Sequence, residues 1–344
     1  MNAKVKPTVR TIAAELGMSA MTVTRALNGH PQVSAETRRR VLGKVKEAGY
    51  DFRAKSRTVR LERARNVAIH CPDEKLYEDN IFNFYMRLHY LCVKRLKAEQ
   101  LRGQLVDLNE HRETALEILE NCGSMIILGP VEEKTLDEVR KRFPELKLLS
   151  IFGNIDGVIR VTPEDYLGGA TAARVFAEYG HSHAAVFATL WEGGFRRRYG
   201  GFIAEFQARV PGARVDLIEF REQHEAKIDD DIRRKTLDDY FNSADKLPTA
   251  CFVPNGYAGL FLADYLQGRG WRIPEDFSLI TYDNLDLFSY RKPDLARVWF
   301  ELKDLAAEAV NALQNLLADR SGALVGIGIP NHYTPGESVA APRR

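Results

Sequence analysis

The sequence predicts a small all-α head joined to an α/β body of two parallel-sheet lobes. Three observations carry that prediction. Residues 8–49 show the apolar spacing of short helices, each opened by a capping residue. From Asn66 onward, short apolar runs alternate with helical stretches, the pattern of parallel sheets with crossover helices. The third is charge. The chain has 344 residues, 45% apolar and 28% charged, with a net charge of +2. Its first 65 residues hold 15 lysines and arginines against 5 acidic residues, which leaves 34 against 42 for the rest. A basic head on a mildly acidic body points to a polyanion-binding module fused to a second function.

In the head, Thr8 can cap a first helix whose apolar positions are Val9, Ile12, Ala13 and Leu16, with Gly17 as the left-handed residue after its end. Ser19 caps a second helix, Ala20 to Leu27, with Val23, Ala26 and Leu27 inward, and Asn28-Gly29 breaks it. Ser34 caps a third helix to Ala48, with Val41, Leu42 and Val45 expected inward and Arg38, Arg39, Arg40, Lys44 and Lys46 outward. Two helices joined by a tight glycine-containing turn form a helix-turn-helix. The major groove admits one α-helix, and its N-terminal residues reach the base edges. Ala20, Met21, Thr22 and Arg25 are the expected exposed face. Arg25 can grip guanine through two hydrogen bonds, Ala20 and Met21 can meet only thymine methyls or fill space, and Thr22 and Asn28 suit phosphate contacts. Residues 51–65 form a basic linker, in which Lys55, Arg57, Arg60 and Arg63 can hold phosphates.

The body, 66–344, offers ten candidate strands: Val67–Cys71, Gln104–Leu108, Met125–Leu128, Leu146–Ile151, Val158–Val161, Ala184–Ala188, Val215–Phe220, Thr249–Val253, Phe277–Thr281 and Arg297–Phe300. Helices are expected between them, among them Phe82–Glu99, Tyr166–Tyr179, Arg196–Arg209, Ala258–Gln267 and Leu302–Leu317. Ten strands fit two five-stranded halves better than one sheet, and ligands of such sheets bind beyond the strands' carboxyl ends, here between the halves. The expected division is lobe 1 over 66–161 and 296–322, lobe 2 over 162–295 and 323–340.

Other classes are disfavoured. No run of about 18 uncharged apolar residues can span a membrane, and Met1 to Arg10 lacks the apolar core of a secretory signal. Cys71, Cys92, Cys122 and Cys251 form no C-x-x-C pair and read as buried thiols. His181 and His183 have no further ligand cluster beside them, so no metal is expected. Cys71-Pro72-Asp73-Glu74-Lys75 stands where a dinucleotide fold places G-x-G-x-x-G, and neither a P-loop nor G-x-S-x-G occurs. No catalytic residue and no cofactor are expected.

The run T-V-R-T-I-A-A-E-L-G-M-S-A-M-T-V-T-R-A-L-N-G, followed by Val33-Ser34-Ala35-Glu36-Thr37-Arg38 and Ala48-Gly49-Tyr50, resembles the head of the lactose/galactose repressor (LacI/GalR) family. The resemblance continues through Tyr179-Gly180-His181, Arg198-Tyr199-Gly200-Gly201-Phe202, Val253-Pro254-Asn255-Gly256 and the run Ile273 to Asn284. It implies a ligand-responsive, DNA-binding transcription regulator, acting as a repressor in the cytoplasm. Two heads of a homodimer would read half-sites of a near-palindromic double-stranded operator, because the closing run Ala340 to Arg344 lacks a tetramerising leucine heptad. It places the base-reading positions on Ala20, Met21 and Arg25, and a minor-groove wedge on Val59. It places a small-molecule site, for a sugar-like effector, on Phe82, Phe152, Trp191, Arg198, Phe220, Asn255, Asp283 and Trp299. Arginine, asparagine and aspartate supply donors and acceptors for hydroxyls, and aromatic faces stack on C–H surfaces. Two carboxylates of the family pattern are Ile151 and Gly256 here, so the site is less acidic than a typical sugar site. The alternative is a solute receptor, akin to periplasmic sugar-binding proteins, with no DNA role. A steep loss of DNA affinity with salt separates the two.

Overall fold

The computed structural model describes residues 7–27, 30, 32–50, 62–71, 79–188, 193–220, 230–320 and 326–343. The chain divides into two compact units, Met1–Arg65 and Asn66–Arg344.

Among the described residues the first unit has three helices, α1 (Val9–Leu16), α2 (Ala20–Leu27) and α3 (Ala35–Glu47), and a helical turn at 62–65. Thr8 and Thr11 form a reciprocal capping box on α1, and Gly17 ends it at φ +65°, a conformation glycine adopts without a Cβ penalty. Ser34 Oγ accepts the Thr37 N–H at 3.1 Å and caps α3. The apolar stripes of the three helices meet in one small core, Ile12, Ala13, Val23, Ala26 and Val41. Leu42 departs from expectation. It is 49% exposed, because Val41 and Val45 already fill the inward stripe and the next position along the helix turns away from it.

The second unit alternates strands and helices in chain order: β1 (Asn66–His70), α4 (Asp79–Ala98), β2 (Arg102–Val106), α5 (Arg112–Leu119), β3 (Ser124–Ile127), α6 (Glu133–Arg142), β4 (Lys147–Ile151), β5 (Ile159–Pro163), α7 (Asp165–Glu178), β6 (His183–Ala188), α8 (Gly193–Arg209), β7 (Arg214–Glu219), α9 (Asp230–Ser243), β8 (Ala250–Val253), α10 (Gly256–Gly268), β9 (Ser278–Tyr282), β10 (Ala296–Trp299), α11 (Leu302–Leu317), β11 (Gly326–Ile329) and β12 (His332–Thr334). Two six-stranded sheets result, ordered β11-β5-β4-β3-β1-β2 and β12-β10-β9-β8-β6-β7. Neighbours are parallel except β10 and β12. Central strands are buried along their whole length, as β3, β6, β8 and β9 are, because helices cover both faces. The edge strands β2 and β7 are largely exposed.

The division of the chain between lobes differs from the expected one. Segment 296–299 belongs to the second sheet, where β10 pairs with β9, while 326–329 returns to the first sheet as β11 beside β5. The chain therefore crosses between lobes three times, at 163–165, 299–302 and 329–332. Among the described residues each half holds six strands, and the added strands are β11 and β12. The run Gly326-Ile327-Gly328-Ile329 carries no strand-like pattern, since glycine disfavours strands. The Glu164 side chain lies over Gly328, where a Cβ would come within 1.6 Å of its Oε1 and displace it.

Candidate functional site

In the head, Ser19 caps α2. Its Oγ accepts the Thr22 N–H at 3.0 Å and lies 2.8 Å from Thr22 Oγ1. Val23 and Ala26 face the core, which leaves Met21, 64% exposed, and Arg25 on the outer face. Four residues apart, they share one side of the helix. Ala20 packs half-buried against the core, so its methyl is presented less fully than expected, and Thr22 is half-buried beside its cap. Asn28, Arg57 and Val59 lie outside the described residues.

In the body, Arg198 and Asp283 of the expected residues come together beside the crossing of α7 and α8. These helices touch backbone to backbone: a Cβ on Gly169 would lie 1.7 Å from Arg198 O, and one on Gly201 would lie 2.0 Å from Tyr166 O. The close crossing brings Asp165, first residue of α7, against two arginines of α8. Arg198 Nε donates to Asp165 Oδ1 at 2.9 Å, and Arg197 Nη2 to Asp165 Oδ2 at 3.0 Å. Arg198 is 7% exposed and Asp165 2%. Arg198 Nη1 also donates to Pro254 O at 2.8 Å and stands 3.8 Å from Asp283 Oδ1. Its guanidinium lies 3.7 Å from the centre of the Tyr282 ring. Burial works against the charge on Arg198, but Asp165, Tyr282 and Asp283 more than restore it, so its pKa is raised. Burial pushes the Asp283 carboxyl above the ordinary range, against the pull of Arg198 and the Gly256 N–H.

Asp283 Oδ2 accepts the Gly256 N–H at 3.0 Å. A Cβ at Gly256 would meet Leu285 Cδ1 at 2.8 Å and Tyr282 O at 3.0 Å, so the turn is closely packed here. Asn255 spends its Oδ1 on the Ala258 N–H, capping α10, so its amide nitrogen is the group left for outside contacts.

On the first sheet, Phe152 follows β4 directly. Its ring lies 5.8 Å from Phe84 and 6.3 Å from Phe300, and Phe300 lies 6.5 Å from Tyr282. A line of rings thus runs from the carboxyl end of the first sheet to the arginine on the second. Phe152 and Asp283 both adopt φ +70°, an uncommon conformation for residues other than glycine. Each sits immediately after a strand of its own lobe, where the left-handed turn redirects the side chain.

Two expected residues lie elsewhere. Phe220 is 1% exposed, stacked on Phe187 at 6.2 Å within the second lobe's own core, because the alternation of β7, Ile218 inward and Glu219 outward, continues one residue beyond the strand. Trp299 donates its Nε1 hydrogen to Thr334 Oγ1 at 2.9 Å and packs on His332, which ties it to the edge strand β12. Trp191 and the side chain of Phe82 lie outside the described residues. Sequence reasoning missed Asp165, Arg197, Phe84 and Phe300. Phe84 had a faint signal, two positions beyond Phe82 in the same helix. Asp165 had none, since an acidic residue at a helix start is ordinarily solvated.

Among the described residues no group of three or more metal-ligating side chains occurs, and no helix is long and apolar enough to cross a membrane. His181 bonds Thr249, Ser278 and the Ala340 carbonyl, and His183 bonds Asp216 at 2.8 Å.

Residues 8–51 match the model of bacterial regulatory proteins, lacI family, and residues 173–339 match a periplasmic binding protein-like domain. The chain carries a lacI-family regulatory head and a periplasmic binding protein-like body. It is a DNA-binding transcriptional regulator that responds to a small molecule. Among its relatives is the HTH-type transcriptional repressor PurR of Pasteurella multocida (strain Pm70), 24% identical over 331 residues, which cover 91% of this chain and 93% of that one. Among solved lacI-family structures, the lac repressor dimer bound to operator and the anti-inducer ONPF superposes with a TM-score of 0.66 at 16% identity, covering 98% of this chain and 100% of the other. A lacI-family regulator from Enterococcus faecium with bound ribose gives 0.64 at 19% identity, covering 81% and 100%.

Proposed function

We propose that this regulator is a cytoplasmic homodimeric repressor that reads an operator through α2, and that a sugar or related polar metabolite held between its lobes sets operator affinity. The observation that carries the reading is the α2 face. Met21 and Arg25 stand in solvent at the start and the last turn of a capped helix whose other side forms the head core. A symmetric dimer would place two such helices in successive major grooves. Arg25 supplies the guanine contact. In the body, Arg198, Asp283 and the Asn255 amide offer donors and an acceptor to ligand hydroxyls, and Phe152 with Phe84 offers an apolar wall. The repressor name of the Pasteurella relative, the operator in the lac repressor complex and the ribose in the Enterococcus structure support the reading. The ligand acts only through its differential affinity for the two lobe arrangements, a coupling of about 1–3 kcal/mol in typical cases.

The test is in vitro selection of binding sites from a random duplex pool with the full chain, followed by titration of Arg25→Ala on the selected duplex. A near-palindromic consensus is expected, with a loss of roughly 1–3 kcal/mol of discrimination per half-site in the variant. Unchanged affinity and preference would overturn the role of Arg25. For the body, thermal melts against a panel of pentoses and hexoses should show at least one stabilising sugar. A panel with none would remove the sugar from the proposal.

A further inference from the structure

We infer that Asn331 is a positioning residue of the effector site: it closes a ring of contacts that aims the Arg198 guanidinium and ties that aim to the lobe crossovers. The inference rests on the effector-binding role proposed above and adds the residue through which lobe movement reaches the site.

Asn331 stands half-buried in the third crossover. Its Nδ2 donates to Glu164 O at 2.7 Å. A carbonyl only accepts, so the amide oxygen of Asn331 faces the other way. There it accepts the Tyr282 hydroxyl proton. The place calls for a side chain that donates on one side and accepts on the other; aspartate would lose one of the two bonds and leucine both. Gly168 leaves the room this pair occupies, since a Cβ there would lie 2.7 Å from Tyr282 Oη and 3.1 Å from Asn331 Cγ. Tyr282 is fully buried. Its ring, fixed at the hydroxyl, carries the Arg198 guanidinium 3.7 Å from its centre, well inside cation–π range.

Arg198 in turn donates to Asp165, the residue after Glu164. The contacts therefore return to their start, through Glu164, Asn331, Tyr282, Arg198 and Asp165. The first crossover grips the arginine by two routes, one through charge and one through the third crossover. The Glu164 N–H donates to Ile329 O at 2.9 Å and holds those two crossovers side by side. A guanidinium held from one side could turn; held in a closed ring it follows the crossovers. Rotation of the lobes then changes the aim of Arg198, and a ligand of Arg198 has different affinities for the two arrangements, which control of operator affinity requires.

The aim of Arg198 can be read without a ligand. Phenylglyoxal modifies accessible guanidinium groups, and peptide mass spectrometry reports each arginine of the full chain separately. Arg198 is 7% exposed and should react slowly in the wild type. Asn331→Leu should speed its modification roughly three- to tenfold, the weight of one hydrogen bond. Tyr282→Phe, which keeps the ring and loses the hydroxyl, should do the same. The double variant should be no faster than either, because both open one ring. Arg233, equally buried in the same lobe, should be unchanged. Unchanged reactivity of Arg198 in both variants, or an equal rise at Arg233, would overturn the inference. A sugar of the pentose and hexose panel that stabilises the wild type should bind both variants more weakly by a similar factor, and equal affinity would overturn the role in the effector site. A panel with no such sugar would remove the sugar from the proposed function and leave the arginine footprint to decide the positioning role.

Discussion

His181 sits beneath the second sheet, with Nδ1 2.8 Å from Thr249 Oγ1 and Nε2 3.0 Å from the Ala340 carbonyl. Burial lowers its pKa to about 4, opposed only in part by that carbonyl, whereas an unfolded histidine titrates near about 6.5. The unfolded chain therefore takes up the proton first. Stability from this group is complete above about pH 6.5 and declines as the pH falls toward 4, by at most roughly 3 kcal/mol. Urea midpoints of the wild type and His181→Gln, compared at pH 7 and pH 4.5, should show a smaller acid loss in the variant, and equal losses would refute the assignment. At this scale the sequence was legible where a residue stood in a motif, as Arg198 and Asp283 did. It was silent on Asp165, whose significance comes from two arginines that only the helix crossing brings near. It could not show that the Phe220 ring is buried in the second lobe's core, because an aromatic ring at the end of a strand looks the same in sequence whether it faces a ligand or the core.

The crossing of α7 and α8 gives the element scale its prediction. Gly169 is in contact with backbone, not with a side chain that could swing away, so Gly169→Ala must push the two helices apart. A loss of about 1–3 kcal/mol or more is expected, together with displacement of Arg198 from Asp165. Gly200, in the same helix as Arg198, has open space where a Cβ would sit. Gly200→Ala should therefore gain roughly 0.5–1 kcal/mol from helix propensity alone. Chemical denaturation of the two variants checks both signs, and a tolerated Gly169→Ala would mean that the helices are not held at this distance. Helices and central strands were readable from apolar periodicity, since buried parallel strands leave long apolar runs. β11 and β12 were not readable. One is half glycine and the other is three residues long, and each exists only because a neighbouring strand offers it a hydrogen-bonding edge.

At the scale of the whole molecule, three crossovers make the lobes a single articulated body, and side chains reinforce the joint. Tyr282 OH donates to Asn331 Oδ1 in the third crossover, while Asn331 Nδ2 donates to Glu164 O in the first at 2.7 Å. The same Tyr282 ring carries the Arg198 guanidinium, so whatever engages Arg198 also bears on the hinge. The split between basic head and acidic body was plain in the charge count, but the place of the second crossover, after β10 and not before it, was not, since β10 looks in sequence like any other strand. That charge split also decides between a regulator and a receptor. The first 65 residues carry a surplus of 10 positive charges, and the proposed dimer would bring two such heads to one duplex. Each phosphate neutralised releases condensed counterions, so the binding constant falls as a power of the salt concentration, with an exponent of about 0.9 per contact. With on the order of 6–10 phosphate contacts, affinity for the selected duplex should fall by roughly 10³–10⁵ between about 50 and 200 mM salt. Fluorescence anisotropy across that range measures the slope directly. Arg25→Ala should lower affinity on the selected site but leave its residual non-specific binding equally steep, because phosphate contacts carry that term and base contacts do not. A flat salt profile would mean that the positive head holds no duplex, and the solute-receptor reading would then replace the regulator.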